Sequence, residues 1–259
     1  MNRIVKAFND LKNKNEKAFV PYIMAGDGGL EVLEERITFL EKAGATAIEL
    51  GLPFSDPVAD GPVIQAAGLR SLQNGTTVKK VLKTIGEFRS RVNIPIILMT
   101  YLNPILAYNL DSFLADCQKV GVDGLIVPDL PNEEEGFVVE AAEKVDIEII
   151  RLVTLTSPIE RIEAISKLGN GYLYAVTVTG ITGSRAEFQA QLGDHLKQVK
   201  QVSKLPVLAG FGISTPAHVQ EMTQYCDGVI VGSKIVDLFE KGDLKTIEEL
   251  IQSSKSIQV

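Results

Sequence analysis

Apolar residues in this chain gather into eight short runs, and the stretches between them carry a different, helical spacing. The runs cover residues 19–24, 47–50, 95–100, 124–127, 147–152, 172–176, 206–209 and 228–231. They are apolar nearly throughout, as parallel strands covered on both faces are. Leu30, Leu33, Ile37 and Leu40 follow the first run, and Val78, Leu82, Ile85 and Phe88 precede the third, the period of helices with one buried stripe. Ile4, Phe8 and Leu11 predict an extra N-terminal helix, placed to close a barrel floor. Strands alternating with helices imply parallel pairing through right-handed crossovers. Eight such units in 259 residues favour a closed (β/α)8 TIM barrel over an open doubly wound sheet. No Pro/Ser-rich linker divides the chain, so residues 1–259 read as a single domain.

A barrel of this kind carries its chemistry on the loops at the C-terminal ends of its strands. Glu49 places a carboxylate at the tip of the second apolar strand, and a loop stiffened by Pro53, Pro57 and Pro62 follows with Asp56 and Asp60. Proline fixes φ, which restricts where those acids point. Taken alone, a Glu and an Asp in such a stretch read as a solvated loop with a cap; their place at a barrel mouth favours acid–base chemistry instead. Burial at the strand end predicts a raised pKa for Glu49, while Asp60, on a more polar loop, is expected to stay ionised.

The last two strand ends, Gly210-Phe211-Gly212-Ile213-Ser214 and Gly232-Ser233, pair glycines that admit close approach with a helix start whose free N–H groups attract anions. One Gly-x-Gly alone reads as a turn; two such loops on adjacent strands read as a phosphate cup. Lys234 either adds charge there or faces solvent. Gly180 and Gly183 frame a loop running toward Ala186-Glu187-Phe188 that suits either a mobile lid or a plain connection. Glu133, Glu134 and Glu135 read as a solvated helix start.

Composition narrows the chemistry further. The 45% hydrophobic and 23% charged content is that of an ordinary globular chain, and the net charge of −7 argues against nucleic-acid or anionic-membrane surfaces. No apolar run approaches the ~20 residues of a membrane span, and the charged amphipathic start is unlike a signal peptide. Cys117 and Cys226, far apart, read as buried reduced thiols of a cytoplasmic protein. With only two histidines, His195 and His218, and no partner motif for them, a histidine triad is rejected and no metal is expected. A Schiff-base aldolase would need a lysine inside a strand end, and none of the eight supplies one.

The stretch Ile48-Glu49-Leu50-Gly51-Leu52-Pro53-Phe54-Ser55-Asp56-Pro57-Val58-Ala59-Asp60-Gly61-Pro62-Val63-Ile64-Gln65 resembles the signature of the tryptophan synthase alpha chain family. Tyr101-Leu102-Asn103-Pro104, Pro128-Asp129-Leu130-Pro131, Thr179-Gly180-Ile181-Thr182-Gly183 and Gly210-Phe211-Gly212-Ile213-Ser214 match it too, in order, so the resemblance spans nearly the whole chain. It implies retro-aldol cleavage of indole-3-glycerol phosphate to indole and glyceraldehyde 3-phosphate. It also implies a beta chain partner holding pyridoxal phosphate, an alpha2beta2 heterotetramer with indole passed between chains, and no cofactor in this chain. By resemblance Glu49 and Asp60 are the catalytic pair. Tyr22, Tyr174, Thr182 and Phe211 line the indole pocket, Gly183, Gly212, Gly232 and Ser233 contact phosphate, and Tyr101 and Asp129 join the substrate-binding set. Tyr22 stands where the family commonly has Phe. Two rivals remain: a phosphosugar isomerase or other aldolase-like barrel, and a non-catalytic subunit that docks a partner through an exposed rim at Pro53-Phe54 and Asn103-Pro104.

Overall fold

The computed structural model describes residues 2–154, 156–177, 185–210 and 212–255. Nine strands form one all-parallel sheet: β1 (Ala18–Met24), β2 (Ile48–Gly51), β3 (Ile96–Met99), β4 (Gly124–Ile126), β5 (Glu148–Ile149), β6 (Arg151–Thr154), β7 (Leu173–Val176), β8 (Val207–Gly210) and β9 (Gly228–Val231). Their order, β5-β4-β3-β2-β1-β9-β8-β7-β6, begins and ends on segments separated only by Ile150. The ring therefore closes through the chain itself: β5 pairs with β4, β6 pairs with β7, and the two are halves of one fifth barrel strand. The eight-stranded barrel is as expected, but the run 147–152 is not one uninterrupted strand. Its halves serve different neighbours, and the Ile149 carbonyl accepts from the side chain of Arg151 (3.4 Å).

Each strand is apolar on both faces because each face meets a different layer. In β7, Leu173 and Ala175 pack outward against the helices, whereas Tyr172, just before the strand, and Tyr174 and Val176 point into the barrel. The interior is filled by Val20, Ile97, Ile126, Ile150, Leu208 and Ile230 around those tyrosines, a packed core of the kind this fold requires.

The extra helix forms as expected, over Arg3–Lys14. Asn2 caps it by accepting from the Ile4 N–H, and Asn15 closes it in the left-handed region. Ile4 and Phe8 enter the barrel from below, with the Phe8 ring 5.3 Å from that of Tyr172. Arg3 and Asn2 tie the helix to Asp123, whose carboxylate also takes Arg89 and the Ile96 N–H. Phe8→Ala is expected to cost about 3 kcal/mol of stability by opening a cavity under Tyr172, read as a lower urea midpoint.

Candidate active site

Above this floor the mouth of the barrel is a cavity of about 820 Å³. Glu49 comes from β2, in register with Tyr22 of β1, so both point inward at one level. Gly51 and Gly210 make the space: a Cβ on Gly51 would lie 1.9 Å from the Tyr22 hydroxyl, and one on Gly210 about 2.5 Å from the Tyr174 ring. Glu49 is 1% exposed, and the Tyr172 hydroxyl donates to its Oε1 at 2.7 Å. Burial raises its pKa from 4.5 to about 8, and the Tyr172 hydrogen bond offsets only part of that rise.

Asp60 sits on the proline loop, half-buried, just ahead of the helix Pro62–Gln73, whose Pro62 suits a first helical turn. The loop is pinned by its own turn, Asp60 N–H to Pro57 carbonyl (3.1 Å), and by the Tyr101 hydroxyl, which accepts from the Ala59 N–H (3.0 Å). This neighbourhood is less polar than the sequence suggests: burial raises Asp60 to about 6, against a lowering hydrogen bond from Tyr101. At neutral pH Asp60 is still mostly ionised and Glu49 mostly protonated, so the expected division between the two acids stands.

Across the opening, Gly212 (φ 77°), Gly232 and Ser233 line the same cavity. Ser233 begins the nine-residue helix Ser233–Lys241, which has no side-chain cap at its start and so presents free N–H groups. Lys234 also lines the cavity, 3.9 Å from Asp237. Asp129, on the rim, accepts the Leu102 N–H with both oxygens (2.9 and 3.2 Å) and thereby holds the start of the helix Leu102–Tyr108. Thr182, Gly183 and the loop read as a candidate lid, together with Phe211, lie outside the described residues; Ala186-Glu187-Phe188 fall within the helix Arg185–Val202. Among the described residues no group of three or more His, Cys, Asp or Glu is placed to hold a metal, and no helix is long and apolar enough to cross a membrane.

The family model for the tryptophan synthase alpha chain matches residues 8–258. The chain belongs to the tryptophan synthase alpha chain family. A curated tryptophan synthase alpha chain of Bacillus anthracis is 52% identical over 255 residues, covering 98% of this chain and 97% of its own length. The crystal structure of tryptophan synthase subunit alpha from Legionella pneumophila superposes with a TM-score of 0.90 at 36% identity, over 99% of this chain and 100% of that one. A chain of Mycobacterium tuberculosis tryptophan synthase gives 0.88 at 32% identity, over 98% of each. The family is a lyase family of tryptophan biosynthesis: it cleaves indole-3-glycerol phosphate to indole, which a beta chain then uses. That is the function of this chain. Its alpha chains work without a cofactor of their own.

Two readings of the sequence need correction against this family site. Glu135 is not solvated: it is buried and accepts from Arg151 Nε at 2.7 Å, because Arg151 leaves the fifth strand outward beneath the turn that carries it. Glu133, by contrast, is exposed and pairs with Arg161. Half of the expected docking rim is not exposed, although Asn103 is exposed and Pro104 half-buried. Pro53 is buried and Phe54 half-buried, its ring 5.3 Å from Tyr101, while Val58 is 83% exposed on the same loop.

Tyr172 is the site residue that sequence reasoning missed. Its signal was present: Tyr172 and Tyr174 are two apart in one strand run and so share the inward face with Glu49. Tyr172→Phe removes a donor to the ionised form and is expected to move the Glu49 pKa above 8, measured by isotope-edited infrared titration. Stability follows the same sign. Because the folded pKa is raised, the contribution of Glu49 is fully present below pH 4.5 and is lost as pH rises toward 8. Glu49→Gln, whose amide oxygen still accepts from Tyr172, is therefore expected to stabilise the fold little at pH 5 and by on the order of a few kcal/mol at pH 8, read in urea melts.

Proposed function

We propose that Glu49 and Asp60 carry the cleavage, Glu49 as acid and then base and Asp60 as the fixed charge. The observation that carries this reading is one cavity holding a mostly protonated carboxyl, a mostly ionised one and an uncapped helix start. Protonated Glu49 delivers its proton to indole C3, and the ring nitrogen becomes positive. Ionised Asp60 accepts the ring N–H and stabilises that charge as it develops. Glu49, now a carboxylate, takes the proton of the hydroxyl on the carbon attached to C3. The C3–carbon bond breaks, its electron pair restores the aromatic ring, and the C–O bond becomes the aldehyde of glyceraldehyde 3-phosphate. Glu49 ends as it began, protonated.

Tyr22 and Tyr174, with Thr182 and Phe211, form the indole-facing wall in this reading. Gly212, Gly232 and Ser233, with Gly183, hold the phosphate, and Tyr101 and Asp129 complete the substrate-binding set by fixing the Asp60 loop and the rim. We place the chain, as one domain over residues 1–259, in the cytoplasm, in an alpha2beta2 heterotetramer with a beta chain that carries pyridoxal phosphate and receives the indole. The exposed Val58 beside Asp60 suits the docking face for that partner.

Steady-state indole release tests the assignment. Glu49→Gln is expected to lose ~10²–10⁴-fold in kcat with substrate binding little changed; equal losses of binding and rate would make Glu49 a structural residue. For the unmodified chain, kcat/KM is expected to rise through about pH 6 as Asp60 ionises and to fall through about pH 8 as Glu49 loses its proton. A profile flat between pH 5 and 9 contradicts the pair.

A further inference from the structure

Asp60 lies just ahead of a helix whose opposite end is gripped with unusual completeness. In the last turn of Pro62–Gln73, Arg70 donates through Nε and Nη2 to the two carboxylate oxygens of Asp27 (2.7 and 2.9 Å). Next to it, Ser71 Oγ donates to the Ala25 carbonyl, and just past the helix Asn74 Nδ2 donates to the Gly26 carbonyl (3.1 Å). Three side chains thus hold three successive residues of the loop after β1. The fit is close: Gly26 is in the left-handed region at φ 79°, and a Cβ there would lie 2.1 Å from Thr76 Oγ1.

Asp27 is buried, and it serves more than one helix. Its carbonyl accepts from Arg36 (2.6 Å), whose guanidinium lies 5.0 Å over the ring of Phe239. Arg70 Nη2 also lies 3.4 Å from Glu240. Phe239 and Glu240 belong to Ser233–Lys241, the helix whose first residue lines the cavity. One acid of the β1 loop therefore sits at the far ends of both helices whose near ends reach the site.

An α-helix is a stiff rod rising ~1.5 Å per residue, so fixing its last turn sets the direction of its first, ~15 Å away. A two-point guanidinium–carboxylate pair fixes orientation as well as distance, which a lysine, a point charge, does not. We infer that Arg70 is a positioning residue for the cleavage: through Asp27 it aims the helix Pro62–Gln73 so that Asp60 faces the indole ring. This rests on the role proposed above for Asp60. The groups that hold phosphate lie on other elements, and Arg36 and Phe239 still restrain Ser233–Lys241 when Arg70 is replaced.

The test compares Arg70→Leu, Arg70→Lys and Asp60→Asn in the full chain, with and without the beta chain, using indole release and the affinity for a non-cleavable indole-alkyl phosphate. Arg70→Leu is expected to lower kcat ~10–100-fold while KM and analogue affinity stay within about threefold, since small misplacements cost rate more than binding. Arg70→Lys is expected to recover part of that kcat. The inference is overturned if Arg70→Leu keeps kcat within about twofold, or if kcat and analogue affinity fall together. Should Arg70→Leu fail to fold, Arg70→Lys decides: reduced kcat at unchanged KM supports the inference and unchanged kcat overturns it. Asp60→Asn separates the two levels. If it abolishes turnover while the Arg70 variants do not, only the positioning role falls; if it leaves turnover intact, the role of Asp60 falls and the inference with it.

Discussion

A carboxyl group enclosed in a barrel mouth with a single hydroxyl for company is the constraint around which this molecule is organised. Solvation normally keeps a glutamate ionised, and here water is replaced by Tyr22, Tyr174 and aliphatic walls, so the proton stays on Glu49 near neutrality. The fold tolerates this at a cost in stability because the same enclosure makes the group an acid where one is needed. Everything nearby serves that enclosure. Gly51 and Gly210 leave room for the tyrosines, Tyr172 limits how far the pKa climbs, and the proline loop brings a second acid with a lower pKa to the same cavity.

Two of the helices that start at the mouth begin at a point of the proposed chemistry. Pro62–Gln73 follows Asp60, and Ser233–Lys241 starts with the free N–H groups of its first turn. They pack on the same side of the ring, over β1, and Arg70, held by the Asp27 carboxylate, reaches Glu240 to join their remote ends. A barrel wall alone is regular and offers eight equivalent loops. These two helices break that equivalence: one follows the Asp60 carboxylate at the mouth, and the other brings free N–H groups that favour anions.

Much of this was legible in the chain itself. Eight apolar runs with helical intervals gave the barrel, because burial on two faces leaves no alternation to confuse a strand with a surface hairpin. The plug at Ile4 and Phe8 was equally plain, whereas Glu49 and Asp60 stood out from an ordinary capped loop only because the barrel puts their strand end at the mouth. What the sequence hid were partnerships across long separations. Arg151 and Glu135 each look like surface charges, and only their meeting under a turn buries them. Pro53 and Phe54 look like an exposed rim until Tyr101 arrives from another strand end to cover Phe54. The polarity of the Asp60 loop was misjudged for the same reason: local composition counts neighbours along the chain, whereas desolvation counts neighbours in space.

The plug in the barrel floor bears on how the protein is made. Asn2 and Arg3 find their partner in Asp123, and Phe8 rests against Tyr172. During synthesis this helix leaves the ribosome long before its lodging exists, since Tyr172 follows Phe8 by more than 160 residues. Such distant contacts are slow to form and leave apolar surface open meanwhile. This helix is thus seated late, and the growing chain must carry Ile4 and Phe8 uncovered until the barrel strands that receive them have been made.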